Sequence, residues 1–271
     1  MKQIIPLVIA AACGLSLSAQ SFSDSFYDAL NSDNLTQQRS ILAQWSESSP
    51  DDIDLHIARF NHYINRCMST ADNPAAADAL ADSGLAVIDR AINLFPDRLD
   101  LRFGKIFFLG EIRQWQPFAD EIITTLNRSE SIGHRWQYPN FDQGGRQLII
   151  EGVQDYLYTL YEASQAAPAD GSPAAQASLT PAQTDVMPHI RRVALRAAQL
   201  FPAEPSFLSS LAYTYIAEAD YPTALRHLNR AEQLAPNDPA ILQQLVDIHT
   251  RMKNTKQANI YRTRLAEQTR P

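Results

Sequence analysis

Four stretches of the chain end a helical pattern in the same way: Leu42-Ala43-Gln44-Trp45 ahead of Pro50, Arg90-Ala91-Ile92-Asn93-Leu94-Phe95 before Pro96, Arg196-Ala197-Ala198-Gln199-Leu200-Phe201 before Pro202, and Arg230-Ala231-Glu232-Gln233-Leu234-Ala235 before Pro236. Proline has no amide hydrogen and disfavours helix in the residue before it, so each of these marks a stop. Pro202 and Pro236 stand 34 positions apart, a period that fits two short helices and their turn. The 106 positions between Pro96 and Pro202 are close to three such periods, whereas the 46 between Pro50 and Pro96 require an extra loop. A unit this small cannot bury its apolar face alone, so the units must stack.

The clearest unit runs from Pro205 to Asp238. Leu208, Leu211, Ala212 and Tyr215 mark one helix face, and Tyr221, Ala224, Leu228, Ala231 and Pro236 the next. The small residues let the helices approach closely while the bulky ones fill the space beside them. The pattern resembles the tetratricopeptide repeat, with Leu208 for the usual Trp and Ala219 for the usual turn Gly. Pro239 to Arg270 follows the same template through Leu242, Leu245, Val246, His249 and Ala258, and its more polar composition suits a capping repeat. The stretches Arg59-Phe60-Asn61-His62-Tyr63-Ile64-Asn65, Arg98-Leu99-Asp100-Leu101-Arg102-Phe103-Gly104-Lys105-Ile106 and Val153-Gln154-Asp155-Tyr156 also look like those of secreted bacterial tetratricopeptide proteins, a resemblance that implies compartment and fold and brings no assigned activity.

Upstream, Ile53, Ile57, Phe60, Ile64 and Cys67 recur at four-three spacing, which predicts an amphipathic helix from about Asp51 to Cys67. Asn73-Pro74 opens another as N-cap and first residue, running to Phe95. Leu99, Phe103, Ile106 and Phe107 start a third, Phe118, Ile122, Ile123 and Leu126 a fourth, and Ile149, Val153, Tyr156, Leu157 and Leu160 a long fifth. No stretch alternates with period two. The expected fold is all-α, about ten helices in antiparallel pairs stacked as a tetratricopeptide-like α-solenoid.

Two segments interrupt the pattern. Arg128 to Arg146 holds Trp136, Tyr138, Phe141 and the pair Gly144-Gly145 and reads as an aromatic loop; 165–184 is rich in Ala, Pro and Ser and reads as a flexible linker or long surface loop. The expected division is therefore a helical array over 20–164, the linker over 165–184, and a tetratricopeptide array over 185–271. Residues 1–19 have the layout of a secretory signal: Lys2, the apolar stretch Ile4 to Leu17, and Ser18-Ala19-Gln20 where the chain turns polar, with cleavage expected after Ala19. The apolar stretch is shorter than the ~20 residues of a spanning helix. Ala10-Ala11-Ala12-Cys13 loosely resembles a bacterial lipobox, which gives lipid anchoring through Cys13 as the alternative to a periplasmic or secreted protein. If Cys13 leaves with the signal, Cys67 is the only remaining cysteine and no intrachain disulfide can form.

The chain carries 23 basic and 30 acidic side chains, a net charge of −7 that becomes −8 once the single lysine of the first nineteen residues is removed. Such a surface repels nucleic-acid phosphates and anionic membranes unless a local basic patch overrides it, and the densest basic cluster is only Arg191, Arg192 and Arg196. The acidic group Asp51, Asp52, Asp54 and His56 has neither calcium-loop nor paired-histidine zinc spacing, and is explained by the positive end of the helix that follows. The six histidines are scattered, with no nucleophile elbow, phosphate-binding Gly-rich loop or His-Glu-x-x-His among them, so neither cofactor, metal nor catalytic residue is expected. Cys67 on an apolar helical stripe reads as a buried structural thiol.

A binding surface is expected where the first helices of successive pairs present the residues off their packing faces. These are Ser209, Tyr213 and Ile216 in one unit and Gln243, Asp247, Thr250 and Arg251 in the next. A related subset of the repeat family grips carboxyl-terminal carboxylates with Lys and Asn at these places; Ser209 and Tyr213 replace them, so that clamp is missing. The leading expectation is a non-enzymatic scaffold for a protein or peptide partner in the bacterial cell envelope. The alternative is a glycan-binding protein or enzyme using the loop 128–146, with His134, Trp136, Tyr138 and Phe141 as its site.

Overall fold

The computed structural model describes residues 17–70, 72–139, 144–165 and 181–268, and they form twelve helices with no strand among them. Cys13, Phe141 and residues 166–180 of the expected linker lie outside the described residues. Two compact units emerge, one up to Ile112 together with His134–Gly145, the other Arg113–Gly133 together with everything from Arg146 on. Pro181 to Thr184, at the end of the stretch expected as linker, already belong to a helix.

Unit 1 contains α1 (Leu17–Asn31), α2 (Leu35–Ser48), α3 (Ile53–Ser69), α4 (Pro74–Leu94) and α5 (Leu99–Glu111). Asn73 caps α4 by accepting the amide of Ala76, with Pro74 at the first helical position. Asp52 caps α3 by accepting the Asp54 amide at 3.0 Å, and its other oxygen takes the Trp45 indole N–H at 2.9 Å. That dual use explains Asp52, which serves a helix terminus and a buried indole. α3 and α4 pack antiparallel around Ile57, Phe60, Ile88 and Phe108, the rings of Phe60 and Phe108 meeting edge to face at 5.8 Å. Gly84 permits their approach, since a Cβ there would stand 3.2 Å from that of Tyr63. The Cys67 thiol is buried, donates to the Ala77 carbonyl, and has its pKa pushed up by burial.

Unit 2 contains α6 (Trp115–Ser131), α7 (Gly145–Gln165, all but its first residue), α8 (Pro181–Leu200), α9 (Pro205–Ala217), α10 (Tyr221–Leu234), α11 (Pro239–Arg251) and α12 (Thr255–Gln268). α9 with α10 and α11 with α12 are antiparallel pairs. The repeat positions lie where the sequence puts them: Ala212, Ala224, Leu228 and Ala231 are fully buried between α9 and α10, and Ile241 and Leu245 of α11 complete the same core. α6 packs on α8, which follows it by some sixty residues, through Arg192 to Asp120 at 2.5 Å and Arg196 to Glu130 at 2.6 Å.

Three of the turns between paired helices share one design. In Ser32-Asp33-Asn34, Glu218-Ala219-Asp220 and Met252-Lys253-Asn254 the middle residue is left-handed (φ 53°, 60° and 58°) and the third caps the next helix with its side chain. The third residue's amide also returns to a carbonyl five residues back, on Ala29, Tyr215 and His249 respectively. No glycine occupies the left-handed position, although side chains there cost about 1 kcal/mol. Replacing exposed Ala219 by Gly is expected to raise stability by about 0.5–1 kcal/mol, read from the urea midpoint. A lowered midpoint would mean that this turn is not left-handed in solution.

Both carboxy-terminal pairs also carry a stacked imidazole and phenol. Tyr215 of α9 lies on His227 of α10 at 5.6 Å and 10°, and His249 of α11 on Tyr261 of α12 at 5.6 Å and 8°. An arginine sits over each tyrosine, Arg191 at 4.4 Å and Arg264 at 5.3 Å. Glu218 holds the first guanidinium and Glu232 the second.

Candidate functional site

Within unit 2, α7, α9 and α11 line one groove of about 480 Å³. α7 contributes Gln154, Leu157, Tyr158 and Tyr161, α9 contributes Ser206, Ser209, Ser210 and Tyr213, and α11 contributes Gln243, Gln244 and Asp247. Each set recurs at three- and four-residue steps, the spacing that keeps side chains on one helical face. Of the residues expected from sequence, Ser209, Tyr213, Gln243 and Asp247 therefore share the groove.

The other three are placed differently. Ile216 is 8% exposed and belongs to the core with Ala212, Leu228 and Ile241, because the last turn of α9 runs beneath the following pair. Thr250 bonds the Val246 carbonyl and accepts from Arg262 of α12 at 3.0 Å, so it joins two helices of one pair. Arg251, at the end of α11, is not among the residues lining the groove.

Aromatic surface dominates the α7 wall. Tyr158 is 60% and Tyr161 41% exposed, their rings stacked at 6.3 Å, and Tyr161 meets Tyr213 edge to face at 5.0 Å. The Tyr213 hydroxyl accepts from the Gln165 amide at 2.6 Å and is hydrogen-bonded to the Ser164 hydroxyl at 2.9 Å, which ties α9 to the end of α7. Burial pushes its pKa up, with those two bonds pulling the other way. Gln154 donates to Ser206 at 2.8 Å and fixes the other end of the same helix contact. Tyr158 and Tyr161 are not among the residues that the sequence singles out. Their signal was present: large side chains three apart, off the buried stripe Ile149, Val153, Leu157 and Leu160.

The aromatic loop is built as packing within unit 1. Between the end of α6 at Ser131 and the start of α7 at Gly145, its described residues are 132–139 and Gly144. Trp136 is only 8% exposed, with the Arg102 guanidinium over its ring at 5.9 Å, and Tyr138 meets Phe103 edge to face at 6.4 Å. The backbone is stitched to the chain ahead of α5: the Gln137 amide donates to the Asp97 carbonyl, and the Leu99 amide donates to the Gln137 carbonyl. His134 is left-handed, and its carbonyl accepts the Trp136 amide. A Cβ on Gly145 would stand 2.3 Å from that carbonyl, so only glycine fits there. The loop thus places Trp136 against Arg102 and Tyr138 against Phe103, each ring packed on a side chain of α5.

No family model and no curated protein matches this sequence. Among solved structures the chain is similar to a thermophilic TPR protein of Thermus thermophilus (15% identity, TM-score 0.39, covering 78% of this chain and 91% of that one). It is also similar to MamA from residue 41 to its end, of Desulfovibrio magneticus RS-1 (12%, 0.34, covering 94% and 97%), and to an assembly chaperone of RpL4 (13%, 0.35, covering 92% and 97%). Independently of those likenesses, the described residues form an all-α fold whose last two antiparallel helix pairs, α9–α10 and α11–α12, repeat at 34 residues with the signature positions in their core, a tetratricopeptide-like arrangement.

Proposed function

We propose that this chain is a non-enzymatic scaffold of the bacterial cell envelope that holds a segment of a partner protein along the α7–α9–α11 groove. The observation that carries the reading is the run of tyrosines along the groove: Tyr158 and Tyr161 keep ring surface open to solvent, and Tyr213, half-buried, meets Tyr161 edge to face. Aromatic anchors of this kind supply most of the energy of protein recognition. The other polar groove side chains are hydroxyls, carboxamides and carboxylates, suited to fixing a peptide backbone rather than activating a nucleophile. Envelope residence rests on the secretory layout of residues 1–19, and among the described residues no helix is long and apolar enough to cross a membrane. The alternative use of the aromatic loop loses ground because Trp136 is buried under Arg102.

The test is affinity capture from solubilised envelopes, with the protein purified from its own cells as bait and its first residue identified by mass spectrometry. Gln20 as the first residue, and a partner retained by the wild type but lost by a folded Tyr161→Ala variant, is the expected result. A partner set unchanged by Tyr161→Ala would remove the groove from the proposal, and a lipidated Cys13 would replace free residence by anchoring.

A further inference from the structure

The groove's charge is one-sided. Its lining contains two carboxylates, Asp238 and Asp247, and no lysine, arginine or histidine. α9, its central helix, has no charged residue at all. Along α7, the flank that includes Tyr158 continues the same sign with Glu151, Asp155 and Glu162, all exposed. The one basic residue of α7, Arg146, is turned to Glu204 and the Phe201 ring.

The two aspartates differ in what they already do. Asp238 is engaged as the N-cap of α11, accepting the amides of Ala240 and Ile241. Asp247 is exposed, accepts only from the neutral amide of Gln243 at 2.8 Å, and has no ion-pair partner among the described residues. On the opposite wall the Tyr158 hydroxyl is bonded to Glu162, which raises its pKa and holds a carboxylate at the rim beside the open ring. The charged groups of the walls are thus carboxylates, set beside electron-rich ring faces, and both attract ammonium and guanidinium groups.

We infer that the groove's occupant is an extended segment of a partner protein bearing lysine or arginine side chains, one over the Tyr158–Tyr161–Tyr213 rings and another paired with Asp247. This rests on the groove being the binding surface, and it deepens that reading by giving the partner's charge. An acidic segment would bring carboxylates to Asp247 and Glu162 with no cation in the lining to receive them.

Random short peptides displayed on phage, panned against the full-length processed protein and counter-panned against an Asp247→Lys, Tyr158→Leu variant, test it. Both positions are exposed, so the variant should keep its circular dichroism and melting midpoint. The expected peptides carry two or more lysines or arginines and few acids. Synthetic copies should bind Asp247→Lys about tenfold or more weakly and lose affinity as salt rises. Neutral or acidic peptides that bind the wild type and not the variant would overturn the cationic partner while leaving the groove reading intact. Recovery of nothing beyond what the variant itself retains would remove both.

Discussion

Replacing Asp100 by alanine is expected to cost unit 1 about 3 kcal/mol or more, the range seen when one partner of a buried ion pair is removed. Arg98 grips Asp100 with two parallel bonds, Nε at 2.8 Å and Nη2 at 2.7 Å, and the two side chains are only 15% and 4% exposed. The pair closes the entry to α5, where Asp100 also faces the positive end of that helix. Without Asp100 the guanidinium stays buried and unmatched. Asp54 offers partial relief: burial holds its carboxyl above the usual range, Asp52 and Asp100 push the same way, and Arg98 draws it down. Losing Asp100 should therefore lower the Asp54 pKa as well. Urea unfolding followed by hydrogen exchange of unit 1 amides gives the cost, and an Arg98→Ala, Asp100→Ala double variant should lose much less than the two single losses together. A loss below about 1 kcal/mol for Asp100→Ala would place the pair with exposed salt bridges.

Acid is expected to weaken unit 1 by up to about 3 kcal/mol through His62 alone. The imidazole is 4% exposed, and burial, with Arg66 and Arg39 adding to it, lowers its pKa from 6.5 to about 4. Its Nδ1 meets the Gln38 carboxamide oxygen at 2.6 Å, and Gln38 is oriented by its own NH2 donating to the Ala29 carbonyl. The neutral ring with its proton on Nδ1 satisfies that arrangement. Below pH 6.5 the unfolded chain takes a proton that the folded one refuses, so stability falls as pH drops from 6.5 and levels off below about 4, at ~1.4 kcal/mol for each unit of displacement. His56, 1% exposed and also shifted downward by burial, adds in the same direction. His62→Gln should flatten most of this acid limb, measured as urea midpoints across that range. An acid limb of unchanged slope would assign it to other groups.

The carboxy-terminal pairs were legible because their determinants are local. Leu211, Ala212, Ala224 and Leu228 are buried positions that lie within one repeat, and the faces they leave free follow from helical spacing. Four groove residues could be named on that basis alone. Ile216 could not, because its burial depends on how the next pair closes over the end of α9. The α7 wall was hidden for a related reason: nothing in the sequence says that a helix some fifty residues ahead of α9 will lie beside it, held by Gln154 to Ser206 and Gln165 to Tyr213. The pairing of α6 with α8, which sets the division at Ile112 and Arg146, is equally non-local. The Gly144-Gly145 pair signalled a loop, yet the demand on Gly145 comes from one carbonyl eleven residues earlier in the chain.

The two imidazole–phenol stacks bear on how this chain stores its repeat. Tyr215 and His249 are 34 positions apart, and so are His227 and Tyr261. At these two positions the adjoining repeats disagree, yet as a contact they match, with the rings exchanged. What the chain has kept is a relation between helices, free to be written in either order. Neighbouring repeats of this kind can drift apart in spelling while their joints stay interchangeable.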